Sequence, residues 1–229
     1  MNSAIIVAAG EGKRFGGGRP KQFAEILGKP LLVHTIERFE KSDSIGEIVL
    51  VLAEGEIRSF SDELGNHGLK KVTSIVIGGA TRAESVLNGL SVVRAEEASI
   101  VVVHDGARPV VPQADISSAI AAAKEHGAAC LVAPVTDTIK EVFEGSIKGT
   151  IDRSSLRRAL TPQCFRYEVI REAFQALGPE SDVTDDSSLA ESAGFAVKAV
   201  EGDPSNIKIT FEQDLKTAEI HLKALLEME

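Results

Sequence analysis

Short apolar runs rich in Val, Ile and Ala alternate along this chain with segments in which apolar residues recur every three or four positions. The first pattern predicts buried β-strands and the second amphipathic helices. Strands are predicted at residues 4–8, 47–52, 73–77, 100–103, 129–132 and 196–200. One helix is predicted from Pro30, a residue tolerated in a first turn, with Leu32, Ile36 and Phe39 on one face. Another opens at Thr81, which can form a Thr-x-x-Glu capping box with Glu84. The last is predicted to start near Thr210, with Gln213 three residues on, and carries Leu215, Ala218, Leu222 and Leu225 on one stripe. The alternation predicts a single α/β domain over residues 1–229, a three-layer arrangement with a mostly parallel sheet covered by helices on both faces. In such sheets, ligands bind at the carboxyl ends of the strands.

Residues 134–160 break the rhythm. They place β-formers on either side of a Gly145/Gly149 turn region, without a helical stripe, and read as a hairpin excursion. An arm that leaves the core exposes two strand edges, to be covered by a partner subunit or left as a solvent-exposed flap.

Bulk properties narrow the function. With 229 residues, 43% of them hydrophobic and 26% charged, the chain is long enough for a full core and ordinary in composition. A net charge of −9 argues against general binding to nucleic acid or anionic membranes, so an anionic ligand needs local clusters of cations. Cys130 and Cys164 form no C-x-x-C pair, and no H-E-x-x-H or Cys/His cluster suggests zinc. No basic flank precedes the first strand and no apolar run is long enough to cross a bilayer, so a cytoplasmic setting is expected.

Candidate chemistry gathers where strands are predicted to end. The run from Ile5 breaks into Ala8-Ala9-Gly10-Glu11-Gly12-Lys13-Arg14, then a glycine stretch and Pro20-Lys21-Gln22. Glycines allow close approach to a phosphate, while amides and cations neutralise its charge. A Rossmann G-x-G-x-x-G would need glycine at Phe15, and a P-loop from Gly12 would need lysine at Gly18, so neither loop is present. A solvated strand-to-helix turn is the plainer alternative. Gly78-Gly79-Ala80-Thr81-Arg82 follows the strand at 73–77, and Arg82 and Ser85 fall in a helical first turn, where positive charge calls for an anion. Asp105 and Arg108 follow the strand at 100–103; Asp105 can hold a ribose hydroxyl or a metal-bound water, or simply cap the loop, and His104 can be a packed strand-end residue. Lys208 stands between Ile207 and Ile209. Six cations (Arg14, Lys21, Arg82, Arg108, Arg153 and Lys208) thus stand at loops or strand ends of an acidic chain that has no evident Ser–His–Asp set. That pattern favours phosphoryl or nucleotidyl transfer, in which positioning and charge neutralisation do most of the catalysis.

Taken in order, these segments closely resemble the 2-C-methyl-D-erythritol 4-phosphate cytidylyltransferase family of the non-mevalonate isoprenoid pathway. The resemblance runs from Ile5 to the terminal helix. It rests on Ala8-Ala9-Gly10…Arg14…Pro20-Lys21-Gln22, Gly78-Gly79…Arg82…Ser85-Val86, Val103 to Pro109, Pro134-Val135…Asp137-Thr138, Leu160-Thr161-Pro162-Gln163, Thr184-Asp185-Asp186 and Asn206 to Thr210. It implies a nucleotidyltransferase-type, Rossmann-like domain with a β-arm at about 134–160 that clasps a second subunit in a homodimer. It further implies CTP over Ala8, Ala9, Gly10 and Gly12, with Gly79, Ala80 and Ser85 near the base, Arg82 in the same site and Asp105 near the ribose or the phosphates. Arg14 and Lys21 would grip the triphosphate and Lys208 would bridge it to the acceptor, 2-C-methyl-D-erythritol 4-phosphate. Arg108, Thr184 and the partner's Thr138 and the partner's Arg153 would seat that acceptor. Mg²⁺ would come with CTP, held mainly by its phosphates and reaching Asp105 through water. The chain departs from the family at Arg157, where an aromatic residue is common, and at Gly106, where alanine is frequent. A ribitol-5-phosphate cytidylyltransferase is similar in loop and fold, but the arm and the Thr184 region favour methylerythritol phosphate. A catalytically silent nucleotide-binding regulator would be expected to lose transition-state cations first, and Arg14, Lys21 and Lys208 are all present.

Overall fold

A computed structural model describes residues 1–10, 12, 14–16, 20–94, 99–179 and 183–228; Lys13 and Gly18, noted above in the opening loop, lie outside the described residues. In chain order the elements begin with β1 (Ser3–Val7), the short pair β2 (Glu25–Ile26) and β3 (Lys29–Pro30), α1 (Leu31–Glu40), β4 (Glu47–Leu52), α2 (Ile57–His67) and β5 (Val72–Ile77). Next come α3 (Arg82–Leu90), β6 (Ile100–Asp105), α4 (Gln113–His126), β7 (Ala128–Pro134), β8 (Ile139–Phe143), β9 (Ser146–Ile151) and β10 (Arg157–Arg166). The chain closes with α5 (Tyr167–Leu177), α6 (Asp186–Ser192), β11 (Lys198–Glu201) and α7 (Asp214–Met228).

Seven strands form the main sheet in the order β11-β7-β10-β6-β1-β4-β5. All pairs are parallel except those of β10, which runs against both β6 and β7. Successive strand residues face opposite ways, so the apolar runs feed two cores at once. Ala4 and Ile6 of β1, Ile48, Leu50 and Leu52 of β4, and Ile100 and Val102 of β6 pack with α1, α2 and α4. The intervening Ile5, Val49, Val51, Val101 and Val103 pack with α3, α5 and α6. Each fully buried Val, Leu or Ile side chain among them stabilises the fold by roughly 1.5–3 kcal/mol. A third, smaller cluster seats α7 through Ala218 and Leu222 against Ile26, Leu31, Val110 and Ile209. This fixes the segment that carries Lys208 beside the carboxyl end of β6.

Local chemistry sets the helix starts. Thr81 and Glu84 form the expected reciprocal capping box. The final helix begins at Asp214 rather than Thr210, because the Asp214 carboxylate accepts from the amides of Thr210 and Phe211, at 2.8 Å each, and holds those residues as a cap. The excursion differs in extent from the expectation. Its hairpin is β8–β9, joined by Glu144-Gly145, both at positive φ as in a type I′ turn, while Gly149 lies within β9 opposite Glu141. Residues 157–160 belong to the main sheet, where Arg157 pairs with Pro134 and Ala159 with Val132. Strand β10 was not expected, since Pro162 argues against a central strand. The register shift between Ala159 and Gln163 accommodates it.

Candidate active site

The carboxyl ends of β1, β5 and β6 meet in a cleft of about 540 Å³. Its floor is the Ala8-Ala9 turn, which continues the ladder through Ala8 N donating to Val51 O and is held by Gly106 N donating to Val7 O, both at 2.8 Å. Two glycines let the neighbouring strand ends close on this turn. A Cβ at Gly78 would stand 2.2 Å from Ala9 Cβ, and one at Gly106 would stand 2.8 Å from Ala8 Cβ. Alanine at Gly106 would therefore force the floor apart in this chain.

Every residue expected to bind CTP or to act in catalysis lines this one cleft: Ala8, Ala9, Gly10, Gly12, Arg14 and Lys21 from one side, Gly79, Ala80, Arg82 and Ser85 from α3 and its lead-in, and Asp105 and Lys208 opposite. Gln22, Thr81, Ala107 and Thr210 line it too and were not singled out as site residues from sequence. Ser85 fixes the α3 approach, its hydroxyl accepting from Gly79 N at 3.1 Å and donating to Thr81 O at 2.9 Å.

Asp105 is the electrostatic centre. Lys208 Nζ lies 2.8 Å from its Oδ2, Arg82 Nε 3.2 Å from its Oδ1 and Arg108 Nε 3.6 Å from its Oδ2. Burial alone would raise its pKa, but Arg82, Lys208 and Arg108 together hold the carboxyl far below the usual carboxylate range. Arg82 also grips Asp186 Oδ2 at 2.7 Å. The anion that offsets its charge in the first turn of α3 is thus supplied by the protein itself, from β6 and from the start of α6. Thr161 of β10 supports the same strand end: its Oγ1 accepts from Asp105 N at 3.1 Å and lies 3.0 Å from His104 Nδ1. His104 Nε2 is 3.0 Å from Arg108 O, which can only accept, so Nε2 carries the proton and Nδ1 receives the Thr161 hydroxyl. Burial pushes His104 down to about 4, which makes it a neutral, packed residue and no general base.

Lys21 sits on a single 3-10 turn (Lys21–Phe23) with its Nζ 3.4 Å from Ile209 O. Burial, Lys208 and Arg14 hold its pKa below the usual lysine range despite Asp105. Cys130 is pushed up to about 11 by burial, and Cys164 is pushed up as well, so neither thiol is activated.

The residues expected to seat the acceptor do not gather in the cleft. Arg108 lines a second cavity of about 470 Å³, bounded also by Arg158, Ala159 and Leu160 of β10, Asp214 and Thr217 of α7, Ile207 and Lys208. Lys208 lines both spaces. Thr138 and Arg153 are exposed on the arm, Arg153 donating to Thr136 O, and face neither cavity of their own chain. Thr184 is exposed just before α6 and also lines neither.

Among the described residues no group of three His, Cys, Asp or Glu could hold a metal ion. Asp105, the carboxylate in the cleft, already faces three cations, so the donor set does not make a direct magnesium site.

A mostly parallel α/β sheet that ends in a cleft floored by Ala8-Ala9, flanked by glycines and ringed by cations, has a nucleotidyltransferase-type, Rossmann-like architecture suited to phosphates. A family model described as 2-C-methyl-D-erythritol 4-phosphate cytidylyltransferase matches residues 2–224, and the chain belongs to that family. Relatives of that name from Bacillus licheniformis and Syntrophotalea carbinolica are 42% identical over 226 residues and 44% identical over 220 residues. These matches cover 98% of this chain and 97% of the first relative, and 95% and 94% for the second. The crystal structure of 4-diphosphocytidyl-2C-methyl-D-erythritol synthase from Anaerococcus prevotii superposes with a TM-score of 0.82 at 29% identity, over 96% of this chain and 95% of that one. The Thermus thermophilus 2-C-methyl-D-erythritol 4-phosphate cytidylyltransferase gives 0.78 at 30% identity, over 97% and 100%.

Proposed function

We propose that this enzyme transfers CMP from CTP to 2-C-methyl-D-erythritol 4-phosphate, giving 4-diphosphocytidyl-2-C-methyl-D-erythritol and pyrophosphate in isoprenoid biosynthesis. The observation that carries this reading is the match of the family model over residues 2–224, joined to a cleft that gathers Arg14, Lys21, Lys208 and Asp105. A phosphate oxygen of the acceptor attacks the α-phosphorus of CTP in line, and the bond to the pyrophosphate oxygen breaks. The acceptor phosphate is ionised at neutral pH, so no base is needed, in keeping with a neutral buried His104. Arg14 and Lys21 hold the triphosphate, and Lys208, fixed by Asp105, meets both the α-phosphate and the incoming phosphate. When bound, magnesium would be held mainly by the triphosphate, on the side of Asp105, and would supply charge neutralisation for the leaving pyrophosphate. Arg108 faces the acceptor from the second cavity, with Thr184 and, across a homodimer, the partner's Thr138 and the partner's Arg153 completing its site. The dimer reading is supported by Val142, Phe143 and Ile147 of the hairpin, which are 59%, 63% and 67% exposed and offer apolar surface to a second copy. Among the described residues no helix is long and apolar enough to cross a membrane, and two unpaired cysteines suit a cytoplasmic setting.

Pyrophosphate release tests the reading. CTP should far outperform ATP and GTP, because Ala8, Ala9 and Ala80 leave backbone groups to pair the base, and a site built to pair one base leaves polar groups unpaired with another. With CTP, methylerythritol phosphate should outperform ribitol 5-phosphate. Equal kcat/KM for ATP and CTP, or a preference for ribitol 5-phosphate, contradicts the assignment.

The position of Lys21 predicts a pH effect. Its pKa lies below the ordinary 10.5, so the free enzyme loses this charge, and kcat/KM for CTP falls, before an ordinary lysine would titrate. Bound triphosphate favours the charged form, so the alkaline limb of kcat should lie at higher pH than that of kcat/KM. Lys21→Arg should move the kcat/KM limb upward; a limb unmoved by that change would belong to another group.

A further inference from the structure

Arg157 and Arg158 are neighbours on β10, and strand alternation sends them opposite ways. Arg157 is neutralised, its Nε 2.6 Å from Glu201 Oε1 on β11 and its Nη1 bonded to Ser154 O and Leu156 O. The exposed side chain of Arg158 forms no ion pair or hydrogen bond with any described residue, and it lines the second cavity facing Arg108 and Lys208. Arg108 cannot swing away to relieve the repulsion. It is 8% exposed, with Nη1 bonded to Asn206 O at 2.8 Å and Nε held beside Asp105. Burial pushes the Arg108 pKa down, and the nearby Arg158 charge adds to that push. The carboxylates at hand are engaged: Asp105 faces Arg82, Arg108 and Lys208, while one Asp214 oxygen accepts two backbone amides. An acidic chain has therefore placed three cations, Arg108, Arg158 and Lys208, against the single carboxylate of Asp214 on a cavity that opens beside Lys208 and so towards the CTP cleft.

We propose that Arg158 binds the phosphate monoester of the acceptor substrate in the cavity it shares with Arg108 and Lys208, and thereby sets acceptor affinity; this rests on the cytidylyltransferase reading above. A phosphate monoester brings close to two negative charges at neutral pH and three acceptor oxygens, which suits a guanidinium fork on each side. Lys208 is the residue common to both spaces, so a phosphate held there already lies at the border from which it attacks the α-phosphorus. Arg158 thus acts on binding of one substrate, whereas Lys208 acts at the reacting atoms.

Arg158→Ala, Arg158→Lys and the control Arg166→Ala, at the far end of the same strand, are compared with the wild-type dimer by pyrophosphate release, varying each substrate at saturating levels of the other. Arg158→Ala should raise KM for the acceptor roughly 10–100-fold, the worth of one charge-assisted pair. KM for CTP and kcat should stay within about twofold, Arg158→Lys should recover part of the loss, and Arg166→Ala should change nothing. Inorganic phosphate binding to the CTP-loaded enzyme, measured by calorimetry, should weaken in parallel. An unchanged acceptor KM, an equal rise in KM for CTP, or loss of the dimer with normal acceptor KM in the dimer that remains would each overturn the proposal. If the wild type releases no pyrophosphate with CTP and methylerythritol phosphate, the enzymatic reading fails instead; the calorimetry then still decides whether Arg158 holds a phosphate.

Discussion

Lys21→Ala and Lys208→Ala should each lower kcat about 10²–10³-fold, the usual effect of removing one preorganised donor from developing charge. The dissociation constant for CTP should move far less, because the rest of the cation set stays in place. Lys208 is held 2.8 Å from Asp105, so its ammonium is aimed before substrate arrives and needs no reorganisation during the reaction. Removing it leaves Asp105 paired with Arg82 and Arg108, and the fold around the cleft should survive. Lys21 is supported differently, by burial and the carbonyl of Ile209, among other cations that lower its pKa. Such a site favours the charged lysine most when negative charge builds nearby. Turnover by pyrophosphate release and CTP binding by calorimetry separate the two quantities. Near-normal turnover in either variant would remove that lysine from the mechanism.

The second large effect concerns the arm. Arg153 lies on an exposed turn and faces neither cavity of its own chain, so a role in the acceptor site has to be exercised in a second copy. Lys21→Ala and Arg153→Ala homodimers should then both be nearly inactive. A mixed dimer places both lesions in one site and leaves the other with an intact Lys21 and the partner's intact Arg153. Random co-assembly makes about half the dimers mixed, each with one good site of two, and should recover roughly a quarter of wild-type activity. The purified mixed dimer should reach about half. If Arg153 acted within its own subunit, every site would stay damaged. A folded mixed dimer without activity would exclude the shared site.

Much of this architecture was legible because its signals are local. The capping box at Thr81 and the two-faced apolar runs of β1, β4 and β6 depend on residues a few positions apart. The cleft residues could be grouped from sequence because parallel strands bring their carboxyl ends to one edge, wherever they lie along the chain. Long-range pairing was not legible. Arg82 looked like a cation awaiting a ligand, but it closes on Asp186, 104 residues away, which no local pattern announces. Strand β10 was hidden by Pro162, whose effect on the ladder is absorbed by an irregular register that only the neighbouring strands reveal. For the same reason Arg158 went unnoticed: its facing partner, Arg108, belongs to the loop after β6, and the two meet only once β10 is laid beside that strand.

The reversed direction of β10 has a consequence for what the chain can build outside its core. A strand parallel to β7 would have required the intervening residues to travel back under the sheet, normally as a covering helix. Because β10 starts at the edge where β7 ends, with Arg157 opposite Pro134, the chain between them has no return journey to make. Those residues are free to project outward, and they do so from the rim on which substrates are handled. The same strand then passes Thr161 to the amide of Asp105. One change of polarity therefore puts the root of the outer projection, at Arg157, and the anchor of the reaction centre, at Thr161, on one and the same strand.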